Sequence, residues 1–446
     1  MKRIKIAFIA ILLLATLAFI ATLSPSERTF DLWALRKSLV YFTGFVAFGL
    51  MTAGVVLATR SRVIEAWLNG LDKHYRLHKW LGIAAAVFSC AHWLFKKAPK
   101  QLVSQGWVDA AVFKTPGGTE DFFGDANLLK PMEHLAKSLG EWAFYILLVM
   151  VVLALWKKFP YRYFFKTHRL LAVIYLILAF HSAVLFGELG WLSPAGILMA
   201  LLLAVGVPAA LKSVLQRIGH EHRATGMIES CSYHPDNGVL VVSIRLTMPW
   251  SGHQEGQFAF VMFERSEGPH PFTLSSPWRG DGLLTFHIKG LGDYTRALPH
   301  RIEPGDEVSV EGPYGKFQFD HARDHQIWVA GGIGITPFLS RLGALADVPW
   351  PQRRPISFFY STREPDHAFI GEIRRLSELA GIAFHLTITG RDPALNAETI
   401  CSLVPDYLDT EVWFCGPTGF GRGLRADLTG KGFPGDRFHQ ELFNMR

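Results

Sequence analysis

The sequence predicts a membrane all-α six-helix bundle, followed by an antiparallel β-barrel domain and an α/β parallel-sheet domain. Three observations carry that expectation. Long apolar runs lie before about Leu211 and not after it; from Met227 short alternating strands are separated by Gly and Pro turns; and after Asp324 apolar strands alternate with glycine turns and helical stretches. At 446 residues the chain is long enough for about three domains, each able to bury a core, and the expected divisions are 1–215, 216–322 and 323–446.

Six segments read as spans: Ile6 to Leu23, Leu39 to Ala58, Trp80 to Leu94, Trp142 to Trp156, Leu170 to Phe186 and Trp191 to Leu211. A spanning helix needs about 20 apolar residues, so the short third and fourth runs require their flanks to join the helix. The first run, behind Met1-Lys2-Arg3, reads as a retained helix, because Ala21-Thr22-Leu23-Ser24 is a poor small-residue cleavage site. Cations set the orientation. Lys2, Arg3 and Lys5 precede the first run, Arg60, Arg62, Lys73, Arg76 and Lys79 separate the second and third, Lys157, Lys158, Arg162, Lys166 and Arg169 separate the fourth and fifth, and Lys212, Arg217 and Arg223 follow the sixth. These segments are expected on the cytosolic side of a bacterial inner membrane, and an even number of spans keeps the soluble half there too. Arg36, Lys37, Lys96, Lys97 and Lys100 fall on the other side and reduce the contrast. The net charge of +7 therefore reads as topology, with no face for nucleic acid. Cys90, Cys231, Cys401 and Cys415 are widely spaced without a C-x-x-C, which argues against a disulfide framework or an iron-sulfur site.

Ionisable groups at membrane depth are expensive, so four histidines stand out. His78 and His92 flank or end the third run, and His168 and His181 flank and nearly end the fifth. Separations of 14 and 13 positions correspond to about 21 and about 19.5 Å along a helix. With both helices running outward, His78 pairs with His168 at the inner level and His92 with His181 at the outer level. That arrangement suits two stacked haems, each held by one imidazole from each helix. Rotational phase fits less well: on an ideal helix His78 and His92 lie about 40° apart but His168 and His181 about 140°, so the fifth span needs a local distortion. The alternative for His78 and His168, beside Lys79 and Arg169, is plain interfacial residence; His181, after Ile177-Leu178-Ala179-Phe180, is not explained that way. His74, His134, His220 and His222 are read as solvated, although His74 stands four residues before His78 and could replace it as a ligand. The loop from Phe95 to Glu141 is too long for a simple connection and is expected to cover the outer site or receive an acceptor.

In the soluble half, Asp236-Asn237-Gly238 before Val239 to Ile244 reads as a hairpin turn, and strands are expected at Phe258 to Phe263, Phe272 to Ser275, Leu283 to Lys289 and Glu307 to Glu311. Parallel strands are expected at Gln326 to Ala330, Ile356 to Tyr360, Ala383 to Ile388 and Glu411 to Phe414, with a ligand at their carboxyl ends. Gly331, Gly332 and Gly334, directly after a strand and before a helix, allow a phosphate close to the backbone. Gly292 with Asp293, Tyr294 and Thr295 opens a short helix whose positive end suits a diphosphate. Ser361, Thr362 and Arg363 at a strand end offer hydroxyls and a guanidinium to a 2′-phosphate, favouring NADPH over NADH, with Arg391 as a helper.

His270-Pro271-Phe272-Thr273-Leu274-Ser275-Ser276 resembles the flavin-binding motif of the ferredoxin-NADP reductase superfamily, in the form found in ferric reductases and NADPH oxidases. The resemblance recurs in order: His287-Ile288-Lys289-Gly290-Leu291-Gly292-Asp293-Tyr294-Thr295 with the flavin diphosphate segment, Gly312-Pro313-Tyr314-Gly315 with the domain-junction turn, Gly331 to Thr336-Pro337 with the nicotinamide-dinucleotide loop, and Cys415-Gly416-Pro417 with the last nicotinamide-side motif. It implies that Phe272 offers a ring and Thr273 a hydroxyl to the flavin, and that Phe443, followed by Asn444, Met445 and Arg446, shields it. It further implies a haem bundle, a barrel that binds FAD and an α/β domain that binds NADPH. The implied function is transfer of electrons from cytosolic NADPH through FAD and two b-type haems, on His78, His168, His92 and His181, to an outer acceptor. A ferric complex is placed ahead of dioxygen; an electron-donor module for a partner protein and a haem-free anchored flavin reductase are the rivals. No catalytic acid or base is required.

Overall fold

A computed structural model describes residues 2–23, 32–107, 109, 130–156, 158–319, 324–349 and 354–441. The chain divides into two units, residues 1–68 with 73–218 and residues 69–72 with 219–445.

The first unit is helical: α1 (Lys2–Thr22), α2 (Leu32–Ala58), α3 (Arg62–Leu68), α4 (Leu71–Ser104), α5 (Glu133–Leu155), α6 (Tyr161–His168), α7 (Leu170–Phe186) and α8 (Pro194–Val214). Among the described residues five helical segments are long and apolar enough to cross a membrane, namely α1, α2, α5, α6 continued by α7, and α8. The expected third run, Trp80 to Leu94, lies inside α4, a 34-residue helix with lysines at both ends and an arginine and two histidines in its first turns, so it does not meet the same standard of length and apolarity. Its flanks and those of the fourth run do join the helix, as the lipid thickness requires. Leu14 and Leu17 are 59% and 62% exposed on α1, as side chains facing acyl chains would be. Inward, small residues let helices approach. Gly206 of α8 leaves room for Tyr175 of α7, whose hydroxyl lies 2.8 Å from Thr52 Oγ of α2, so this buried polar pair is mutually satisfied.

The second unit begins with an antiparallel sheet of β1 (Arg223–His234), β2 (Val239–Leu246), β3 (Phe258–Met262), β4 (His270–Thr273), β5 (Leu283–Lys289) and β6 (Glu307–Tyr314), in the order β4-β3-β6-β1-β2-β5. Leu274 bridges Phe286 across the two edge strands, which closes the sheet into the expected barrel around Val242, Val261, Leu284 and Val310. The β1–β2 hairpin turns at Gly238, whose φ of +63° needs a residue without Cβ, and Asn237 Oδ1 accepts from Val239 N. Between β5 and β6 stands the five-residue helix α9 (Asp293–Ala297).

The parallel sheet follows, with β7 (Gln326–Gly331), α10 (Thr336–Ala346), β8 (Ile356–Thr362), α11 (His367–Ala380), β9 (Ala383–Ile388), α12 (Ala397–Leu403), β10 (Glu411–Cys415), α13 (Thr418–Gly430) and β11 (Phe438–Gln440), in the order β11-β10-β7-β8-β9. The central strands β7 and β10 are buried on both faces, as their unbroken apolar runs require. All four cysteines are free thiols.

Candidate functional site

The membrane unit brings the four histidines together in the expected pairs. His78 of α4 faces His168 of α6 with ring centroids 5.8 Å apart, and His92 of α4 faces His181 of α7 at 6.5 Å. The fifth span is interrupted directly after His168: α6 ends there and α7 begins at Leu170, with Arg169 between them in a helical conformation (φ −65°, ψ −26°). Three imidazoles are oriented through Nδ1, which donates to Gly54 O from His78 (2.9 Å), to Val40 O from His92 (2.8 Å) and to Ala136 O from His181 (2.7 Å). A carbonyl only accepts, so each Nδ1 carries the proton and each Nε2 keeps its lone pair for a metal. His168 Nδ1 is buried with no hydrogen-bond partner among the described residues, and its ring lies against Phe164 at 5.0 Å.

These residues fit a haem. Metal–imidazole bonds of about 2 Å on either side of an ion put ring centroids about 6 Å apart, and both pairs are spaced that way. A Cβ on Gly44 would come within 2.9 Å of His92 Nδ1, and one on Gly140 would overlap the His181 ring, so α2 and α5 press on the outer pair. His92 and His181 line a cavity of about 380 Å³ together with Phe45, Phe48, Trp93 and Phe144, and with Arg36, Lys37, Lys96 and Lys137.

One expectation is overturned here. His74 is not solvated: it is 0% exposed, its Nε2 donates to Leu57 O at 2.5 Å, and its Nδ1 is buried with no hydrogen-bond partner among the described residues. His134 and His220 are exposed, and His222 is half-buried. Of the segment expected as a loop from Phe95 to Glu141, residues 108 and 110–129 lie outside the described residues, while its start belongs to α4 and its end to α5.

In the barrel, His270, Pro271, Phe272 and Thr273 form β4. The His270 ring stacks on Tyr294 of α9 at 4.5 Å and lies 6.3 Å from Phe272, giving a row of rings along one edge. Thr273 and Ser275 are buried, Ser275 Oγ donating to Thr273 O, while Ser276 Oγ accepts from Thr285 N and fixes the strand end. The Tyr294 hydroxyl and His287 Nδ1 are buried without partners among the described residues. Such orphaned groups fit a polar cofactor laid over this face. Burial raises the Tyr294 phenol and pulls the His287 and His270 imidazoles down to about 4. Thr295 Oγ accepts from Leu291 N and Gly292 N, ordering the turn at Gly292 and Asp293. Lys289, expected on a diphosphate, is paired with Glu364 at 2.7 Å.

In the parallel sheet the expected residues gather at the carboxyl ends of the strands. Gly331 closes β7, Gly332 (φ +54°) and Gly334 form the turn into α10, and Cys415 ends β10 directly beside Ala330. A Cβ on Gly331 would lie 2.7 Å from Pro417 Cδ, and one on Gly334 would overlap the Cys415 carbonyl, so the two loops meet through glycines, including Gly416. Thr336 Oγ donates to Ile333 O and Pro337 occupies the first turn of α10. Ser361 Oγ lies 3.2 Å from Thr389 Oγ and Arg363 is exposed. Thr362, by contrast, is 5% exposed and donates back to Glu364 O, so its hydroxyl shapes the loop instead of facing a ligand. Phe443 lies outside the described residues. Sequence reasoning passed over Glu441, a buried carboxylate just after β11, and over Glu364; an acidic side chain near a chain end or in a loop carries no periodic signal.

Residues 43–179 match the family described as ferric reductase like transmembrane component, and residues 227–318 match an FAD-binding domain. The chain is 29% identical over 218 residues to the stachydrine N-demethylase reductase subunit of Rhizobium meliloti, covering 43% of this chain and 58% of that protein. It is 27% identical over 204 residues to the glycine betaine monooxygenase reductase subunit of Pseudomonas aeruginosa, covering 42% and 55%. It is 30% identical over 210 residues to a probable respiratory burst oxidase homolog, protein I, of Arabidopsis thaliana, covering 41% and 21%. The chain thus spans little more than half of the two bacterial relatives. These matches define a class, the flavoprotein oxidoreductases with an integral membrane part. More narrowly, the chain has the architecture of the ferric reductases and NADPH oxidases, a ferric reductase-like transmembrane domain joined to a ferredoxin-NADP-reductase-type FAD domain.

Proposed function

We propose that this protein carries electrons from cytosolic NADPH across a bacterial inner membrane to an outer acceptor, a ferric complex ahead of dioxygen. The observation that carries the reading is the pair of facing imidazole sets, His78 with His168 and His92 with His181, three of them held through Nδ1, in the chain that bears an FAD-binding domain. When bound, the flavin takes an electron pair as hydride and the haems pass single electrons.

The work of the chain's own residues is binding and orientation. His78, His168, His92 and His181 hold two b-type haems through Nε2, and the carbonyls of Gly54, Val40 and Ala136 keep three of those rings in the ligating tautomer. Phe272, Thr273 and Tyr294 hold the flavin at the barrel edge, and the glycine turn of residues 331–334, with Cys415, Gly416 and Pro417, receives the nicotinamide dinucleotide. Arg363 and Ser361 meet the 2′-phosphate. In this reading α4 is the sixth span, its charged ends reaching the two interfaces. The functional divisions are 1–215, 216–322 and 323–446.

A second reading has support of its own. Two of the similar proteins are named as reductase subunits, one of a demethylase and one of a monooxygenase, which favours an electron donor to a protein partner. Reoxidation of the NADPH-reduced, detergent-purified protein separates the readings. Faster reoxidation by a ferric chelate than by air supports ferric reduction, faster reoxidation by air supports dioxygen, and indifference to both supports a protein acceptor.

A further inference from the structure

Resting on the reading of Ser361 and Arg363 as the 2′-phosphate site, we infer that the ion pair between Lys289 of the barrel and Glu364 of the parallel-sheet domain sets the preference for NADPH over NADH. Glu364 directly follows Arg363. In sheets of this kind an acidic side chain near the end of the second strand accepts a hydrogen bond from the ribose 2′-hydroxyl of an unphosphorylated dinucleotide, and an arginine meets the 2′-phosphate. The loop after β8 therefore carries both signals side by side. A bare Glu364 carboxylate would favour NADH and repel a phosphate.

The structure neutralises that carboxylate from the other domain. Lys289 Nζ, at the end of β5, lies 2.7 Å from Glu364 Oε2, with the two side chains 23% and 51% exposed. The loop is held against the barrel at two further points: Asp366, which caps α11 by accepting from Phe369 N, lies 3.2 Å from His234 Nδ1, and the Phe369 ring packs 5.6 Å from His287. Glu364 thus meets Lys289 through an anchored loop, and the choice of nucleotide depends on a residue outside the nucleotide domain.

The test measures anaerobic flavin reduction per bound FAD by NADPH and by NADH, in detergent-purified holoprotein, and reads the ratio of the two kcat/KM values. Lys289→Met, which bares Glu364, lowers the NADPH-to-NADH ratio about fivefold, the scale expected of partly exposed charges. Glu364→Gln, which leaves Lys289 uncompensated, raises it by a similar factor, and the double variant returns it to the wild-type value. Should Lys289→Met lose its flavin, Glu364→Gln still decides the matter. A ratio that Glu364→Gln leaves unmoved or lowers overturns the inference, whereas a wild-type flavin that neither nucleotide reduces overturns the reading beneath it.

Discussion

The imidazoles of His92 and His181 face each other at 6.5 Å and nearly at right angles, each tied by its Nδ1 to a carbonyl of a different neighbouring helix. Four helices therefore fix one pair of nitrogens. Removing either ring leaves the other oriented but alone. His92→Ala and His181→Ala are each expected to lower haem absorbance per protein to about half while leaving the inner pair reducible. Haem and protein quantification of the two variants checks this, and retention of full haem content would contradict it.

The same carbonyls explain the glycines beside them. A methyl at Gly140 would overlap the His181 ring, and one at Gly44 would sit 2.9 Å from His92. Gly140→Ala is expected to cost about 1–3 kcal/mol, as overpacking does, or to displace His181 and lose the outer haem, with Gly44→Ala milder. Thermal denaturation together with the haem spectrum distinguishes these two effects.

Arg363 is an exposed cation at the candidate 2′-phosphate site. Arg363→Ala removes a charge-assisted bond and is expected to raise KM for NADPH about tenfold or more with little effect on NADH. Steady-state kinetics with both nucleotides test it; equal losses with both would place Arg363 elsewhere in the site.

His287 gives a pH prediction. Burial, with His234 adding to it, holds the imidazole neutral in the folded protein down to about 4, against an ordinary value of 6.5. The unfolded chain then binds more protons between those values, so stability is full above about pH 6.5 and falls as the pH drops toward 4. Melting temperatures across that window are expected to decline, and His287→Phe is expected to flatten the decline.

Much of this was legible in the sequence, for physical reasons. Strand β2 announced itself by the Asn237-Gly238 turn and the run from Val239, and the dinucleotide loop by glycines placed directly after an apolar strand. Helical rise matched the levels of the histidine pairs, whereas ideal helical phase did not place His168 and His181 on one face. What escaped had no local signal. Strand β11 is three residues long and exists because β10 offers it an edge. Helix α4 extends well beyond its apolar run into charged ends that read as loop. His74 was read as solvated, yet it is buried by partners distant in sequence, Leu57 among them. The pairing of Lys289 with Glu364 joins positions 75 residues apart, which no spacing rule anticipates.

The most direct test of electron transfer through the histidine pairs is anaerobic addition of NADPH to the purified protein, followed by its visible spectrum. The reading predicts bleaching of the flavin and the appearance of reduced haem bands with two bis-histidine haems per FAD. A flavin that bleaches with no haem signal would contradict it and leave a membrane-anchored flavin reductase.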